Sequence, residues 1–200
     1  LVPDADNNIL LVGDAHQRIY GDRIVIGHSG IGIKGRGRKL KINYRTTHET
    51  KLFAQELLQG LEIDDLNGQL DSGSDYYSLT HGNDPVLKQF TTEEEEQDWI
   101  AETVGELCSS GERDSDICIV ARTKAVRDKL ATALKARGIT TVVLKKGQDD
   151  RSVEGVRLST MHRVKGLEFR FLFIASTNAN IIPAADYSFE FSEKERLVRE

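Results

Sequence analysis

No run of 18 apolar residues occurs in this 200-residue chain, which excludes a membrane-spanning helix. No basic segment followed by an apolar one opens the sequence, so no secretory signal is visible. Cysteine is scarce: Cys108 and Cys118 fall on a predicted helix and a predicted strand, and read as reduced core thiols and not as a disulfide or metal site. A cytoplasmic protein is the simplest reading. Two further absences concern chemistry. There is no G-x-x-x-x-G-K-[ST], whose backbone, lysine and hydroxyl would cradle phosphates and magnesium, and no D-E-x-[DQ] after an apolar strand to hold the metal and orient water. The chain by itself is expected not to hydrolyse a nucleoside triphosphate.

What is present describes a globular protein. A hydrophobic content of 38% with 30% charged residues excludes a disordered tail, and the length suffices for one medium α/β domain or parts of two. The net charge of -5 argues against a general nucleic-acid coat, but the charge is unevenly spread. Lys34, Arg36, Arg38, Lys39, Lys41 and Arg45 fall within twelve residues that contain no acid, whereas Glu93 to Glu96 and Asp98 form an acidic cluster. A local basic field can hold phosphates on an acidic protein.

The stretch 156–175, VRLSTMHRVKGLEFRFLFIA, carries the strongest chemical signal. Val156 and Leu158, then Phe169 and Phe171 to Ile174, have the near-continuous apolar character of buried strands covered by helices on both faces. Between them lie Thr160, His162, Arg163, Lys165, Gly166 and Glu168. A loop of hydroxyl, imidazole, cations, glycine and one carboxylate suits anionic ligands outside the carboxyl ends of a parallel sheet. The bland alternative is a polar turn that merely joins two strands.

Elsewhere, Ile9 to Val12 is a predicted buried strand ending in Gly13-Asp14, where Asp14 taken alone passes for a strand-end acid that positions magnesium. Gly30 to Gly35 has a formal G-x-G-x-x-G spacing, but Arg36-Gly37-Arg38 is poor material for the helix that a dinucleotide site requires. A flexible basic loop is the better account, either a solvated surface or a DNA contact. Thr47 is a predicted N-cap for a helix carrying Leu52, Phe53, Leu57 and Leu58, ending by Gly60. Residues 61–91 read as a long surface connection with a short strand near Tyr76 to Leu79 and an exposed His81. Thr92 and Glu95 have capping-box spacing before a helical face of Ile100, Val104, Leu107 and Cys108, the glutamate run being its solvated first turn. Ile117 to Ala121, a helix capped by Thr123 with Val126, Leu130, Ala133 and Leu134 inward, and Ile139 to Leu144 form a βαβ unit, hence a parallel sheet with a right-handed crossover.

Three short motifs, in order, resemble the UvrD-like (UvrD, Rep, PcrA) superfamily I DNA helicases. Thr160 to Phe169, T-x-H-x-x-K-G-L-E-F, resembles motif V; Gly13 to Tyr20, G-D-x-x-Q-x-I-Y, resembles motif III; Asn43 to Thr46, N-Y-R-[ST], resembles motif IV. The resemblance implies a three-layer, RecA-like (P-loop NTPase-like) α/β fold with a mainly parallel sheet flanked by helices. Residues 1–42 would be the tail of a first RecA-like domain, comprising the motif III strand and the basic loop, and 43–200 a second RecA-like domain. The large accessory domain that the family inserts before motif V would be absent, since only about ten loop-like residues, Lys145 to Glu154, stand there.

By resemblance the chain is an internal or C-terminal portion of an ATP-dependent DNA helicase or translocase. ATP and Mg2+ would be bound mainly by a missing N-terminal RecA-like domain of the same polypeptide. Gln17 would sense the γ-phosphate, and Arg45 would act as the arginine finger, its rigid fork of donors suiting a phosphoryl group that gains charge in the transition state. Gly166 and Glu168 would complete the nucleotide site, Glu168 on the ribose. Tyr20, Thr160, His162 and Arg163 would meet single-stranded or partly duplex DNA, Tyr20 by stacking on a base. The sequence departs from the family at Arg18, where a small residue is common, and after Tyr20, where Gly21 replaces an aromatic residue and Asp22 precedes Arg23. Ser192 to Glu200, capped by Ser192 with Glu195 at N3, resembles the lead-in to motif VI, and neither Arg196 nor Arg199 is assigned that motif's role. The alternative is a nucleic-acid-binding or regulatory helicase-like domain without catalysis.

Overall fold

A computed structural model describes residues 8–14, 35–58, 60, 70, 75–145 and 149–178. The chain divides into two compact units, Leu1–Val86 and Leu87–Glu200.

The first unit is built on a short parallel pair. β1 (Ile42–Asn43) aligns with β2 (Tyr77–Ser78), Ile42 opposite Tyr77 and Asn43 opposite Ser78. The Tyr77 amide donates to the Lys41 carbonyl at 3.0 Å, and Lys41 Nζ meets Asp75 at 2.8 Å. The basic stretch, free of acids in sequence, thus acquires one from more than thirty residues away. Helix α1 (His48–Glu56) follows, with Thr47 Oγ1 accepting from the Thr50 amide at 3.3 Å as an N-cap. None of its residues is fully buried. The segment after β2 folds against its first turn, where the Gly82 amide donates to Glu49 at 2.8 Å and a Cβ on Gly82 would stand 2.8 Å from the Thr47 methyl.

Residues 9–12 form no strand. Ile9, Leu10, Leu11 and Val12 are exposed, 88% in the case of Leu10, against the buried strand expected there. An apolar run becomes a strand only when neighbours complete its ladder, and no described residue pairs with it.

The second unit is a parallel α/β layer. Helix α2 (Glu93–Ser109) opens with a complete capping box: Glu95 N donates to Thr92 Oγ1 at 3.2 Å, and Thr92 N donates back to the Glu95 carboxylate at 3.2 Å. A 3-10 turn (Asp114–Asp116) leads into β3 (Ile117–Ala121), every residue of which is buried. Helix α3 (Lys124–Ala136) is capped by Thr123 and ended by Gly138 at φ +81°, with Ile139 N donating to Leu134 O at 3.0 Å. Strands β4 (Thr141–Val143), β5 (Val156–Thr160) and β6 (Phe171–Ile174) complete a four-stranded sheet in the order β4-β5-β3-β6, all neighbours parallel. Strands β3 and β4 of the βαβ unit are therefore not adjacent, because β5 enters between them.

The core lies on one face of this sheet. Register places Ile119 opposite Leu158 and Phe173, and these residues with Ile117, Ala121 and Val156 pack against Ile100 and Val104 of α2 and Leu130 and Leu134 of α3. Full burial of each such side chain stabilises by about 1.5–3 kcal/mol. The acidic start of α2 is not wholly solvated: Glu93 in its first turn pairs with Lys129 of α3, and Asp98, further along, with Arg137 at 2.6 Å. On the other face Cys118, Val120, Arg157 and Ser159 are buried, but Leu172 and Ile174 of β6 are 51% and 56% exposed, so the covering expected on both faces is incomplete among the described residues. Cys118 is buried as expected, and burial pushes its thiol up to about 12. Cys108, in the last turn of α2, is exposed, against the core position expected for it.

Candidate functional site

The loop between β5 and β6 does not stay at one end of the sheet. Because the two strands are parallel, it must carry the chain from the carboxyl edge to the amino edge. At the carboxyl edge, Thr160 lies opposite Ala121, the last residue of β3, and the Met161 amide donates to Ala121 O at 3.1 Å. The chain then coils tightly, with Arg163 N and Val164 N both donating to Thr160 O, at 2.9 and 3.2 Å, and Leu167 N to Val164 O at 2.9 Å. At the amino edge, Arg170 N donates to Asp116 O, one residue before β3 begins, at 3.0 Å. The expected placement of the whole loop outside the carboxyl ends is therefore corrected. Thr160, His162 and Arg163 stand at one end of the strands and Glu168 near the other.

Each end has its own chemistry. At the carboxyl edge Thr160 is 7% exposed, while His162 and Arg163 are half-buried. Arg122, just past β3, lies 3.3 Å from His162 Nδ1; a guanidinium has only donors, so Nδ1 accepts in that contact. Ser176, just past β6, is the one non-glycine residue with positive φ among the described residues, at 56°. Its amide donates to Glu96 of α2 at 2.8 Å, which offsets the cost of the left-handed conformation. Sequence reading missed both Arg122 and Ser176, although each is the first polar residue after a strand.

Gly166 adopts φ +86°, with nothing within 4 Å of where a Cβ would stand; the turn, and not crowding, requires glycine. Beyond it the Glu168 side chain is exposed. The amino edge is braced by a buried ionic group that sequence reading also missed. Arg157, inside β5, is fully buried on the face away from the helices, its Nε donating to Asp149 at 2.9 Å and its Nη atoms to Val153 O at 2.8 Å and Asp150 O at 2.7 Å. Such a buried pair persists because the carboxylate and three backbone carbonyls, those of Val153, Gly155 and Asp150, accept from the guanidinium. The available signal was an arginine between Val156 and Leu158 in a predicted buried strand.

In the first unit, Arg45 sits in the turn between β1 and α1. Asn43 shapes that turn: its Oδ1 accepts from the Arg45 amide at 2.9 Å and the Thr46 amide at 3.2 Å, and its amide group also bonds Thr46 Oγ1. The Arg45 side chain is exposed, as is Tyr44 at 72%. Asn43 is thus the residue that presents Arg45. Gln17 and Tyr20, assigned by resemblance to the γ-phosphate and a DNA base, lie outside the described residues, as do Arg196 and Arg199.

Comparison with known proteins bears on these two turns. Neither the curated proteins nor the solved structures contain a match to the chain. A family model does match, the UvrD-like helicase C-terminal domain, over residues 38–149 and 144–198. Those spans include Asn43 to Thr46 and Thr160 to Phe169, and the parallel sheet flanked by helices is of the RecA-like kind. The chain belongs to the UvrD-like helicase C-terminal domain family.

Proposed function

We propose that this chain supplies the second half of the motor site of an ATP-dependent DNA helicase or translocase. Arg45 is the arginine finger, Gln17 the γ-phosphate sensor, and Gly166 with Glu168 the ribose side of the nucleotide site. Thr160, His162 and Arg163, with Tyr20, contact single-stranded or partly duplex DNA. The observation that carries this reading is the course of residues 160–170 within a chain of this family. One short segment, hydrogen-bonded at both ends of β3, links the proposed DNA contacts to the proposed nucleotide contact. Movement of one end is thereby transmitted to the other, which is what coupling hydrolysis to a DNA grip requires.

The side chains suit their roles. An exposed guanidinium on an asparagine-shaped turn offers a rigid fork of donors to a phosphate. An exposed carboxylate at Glu168 can accept hydrogen bonds from ribose hydroxyls. ATP, when bound, supplies the phosphoryl group and Mg2+ screens its charge. On this reading both are held mainly by an N-terminal RecA-like domain, since the sequence contains neither phosphate-binding loop nor metal-binding acid motif.

The test is DNA-stimulated ATP turnover in a helicase containing this chain. Arg45→Ala should lower kcat by about 10³-fold or more while ATP binding persists, and Arg45→Lys should recover little of it. The chain alone should show no turnover. Unchanged kcat in Arg45→Ala would return the chain to a binding or regulatory role.

A further inference from the structure

We propose that Arg151 is a positioning residue for Glu168. It would fix the backbone that carries Glu168 against the amino end of β3, and so set where the carboxylate stands. This rests on the reading of Glu168 as a ribose contact.

All three nitrogens of the guanidinium are engaged. Nη2 donates to Glu168 O at 2.6 Å, and Nη1 donates to Ser115 O at 2.7 Å and to Asp116 Oδ1 at 2.8 Å. Nε approaches Asp149 Oδ2 at 2.5 Å, an ion pair without hydrogen-bond alignment. The guanidinium also lies 4.9 Å from the centre of the Phe169 ring, the neighbour of Glu168. On either side of Glu168 the backbone is held by Leu167 N to Val164 O and Arg170 N to Asp116 O, and Arg151 bridges the interval between them.

The anchor is itself held by several partners. Asp149 is 6% exposed on its side chain and is shared with Arg157 of β5, whose side chain is fully buried. Asp116 is fixed in turn by Arg113 at 2.8 Å. Arg151, with its own side chain 39% exposed, joins these fixed charges to a surface carboxylate's backbone. A lysine could satisfy one of these partners but not the fork.

Two measurements test the proposal. The first is hydrogen–deuterium exchange on the full chain. Arg151→Met should raise exchange in residues 164–171 by roughly tenfold while α3 stays protected, and Arg151→Lys should give a smaller rise. The second is steady-state kinetics in a helicase containing the chain, with ATP and with its 2′,3′-dideoxy analogue. Arg151→Met should raise KM for ATP several-fold with kcat little changed, spare the analogue, and add nothing to Glu168→Gln. A purely structural role would lower kcat and affect both nucleotides alike. Exchange at 164–171 unchanged in both variants, or a raised KM in Glu168→Gln without one in Arg151→Met, overturns the proposal. If Glu168→Gln leaves KM unchanged while Arg151→Met loosens 164–171, the ribose reading is what fails.

Discussion

At the scale of single residues, position in a turn decides what a side chain can do. Asn43 and Gly166 contribute geometry: one folds its amide back on two backbone donors, the other takes a left-handed turn at little cost. Glu49 shows the same principle in its titration. The hydrogen bond from His81, at 2.7 Å, and that from the Gly82 amide hold its carboxyl down at about 2. A depressed folded-state value means that the stabilisation is present above the ordinary carboxylate range and fades as pH falls from about 4.5 towards 2. His81→Ala should raise the Glu49 value, as read by NMR titration of the carboxyl carbon. The stability change should be small and weaken further with salt, because the His81 side chain is 72% exposed.

At the scale of elements, the caps were legible and the neighbours were not. Thr47, Thr92 and Thr123 are all N-caps as their spacing predicts, since a cap is decided within four residues of chain. Thr92→Ala should cost about 1 kcal/mol in chemical denaturation, because it removes one half of the reciprocal pair with Glu95. The strand Ile117–Ala121 was likewise visible as a β-branched apolar run, and Val156–Thr160 by Val156 and Leu158 on one face. Their order was not, because nothing local says that β5 enters between β3 and β4. Ile9 to Val12 shows the converse, a run as apolar as β3 that is exposed and pairs with no described residue. Arg157 reads as an error in a buried strand until Asp149 and three backbone carbonyls are brought to it.

At the scale of the whole molecule, the chain is two units meeting in sequence at Val86 and Leu87. Residues 82–90 lack regular structure, and Val86 and Leu87 are 77% and 84% exposed. Limited chymotryptic digestion should cut first near Leu87, releasing a fragment in which Ile117 to Ile174 resists further cleavage. Early cuts within β3 or β5 would contradict the packing described for that sheet. We propose, apart from this contact boundary, that residues 1–42 are the tail of a first RecA-like domain and residues 43–200 a second one.

By itself the sequence determined the family motifs, the α/β alternation, the caps and the chemical kinds in the 160–168 loop. All of these depend on residue type at short spacing. Only the tertiary structure decided that this loop runs the length of the sheet, dividing Thr160 and His162 from Glu168, and that Arg151 and Arg157 brace its far end. Parallel pairing forces the first, because a strand can re-enter beside its neighbour only by crossing from one edge to the other. Burial forces the second, because a charge beneath a sheet persists only where distant residues supply its partners.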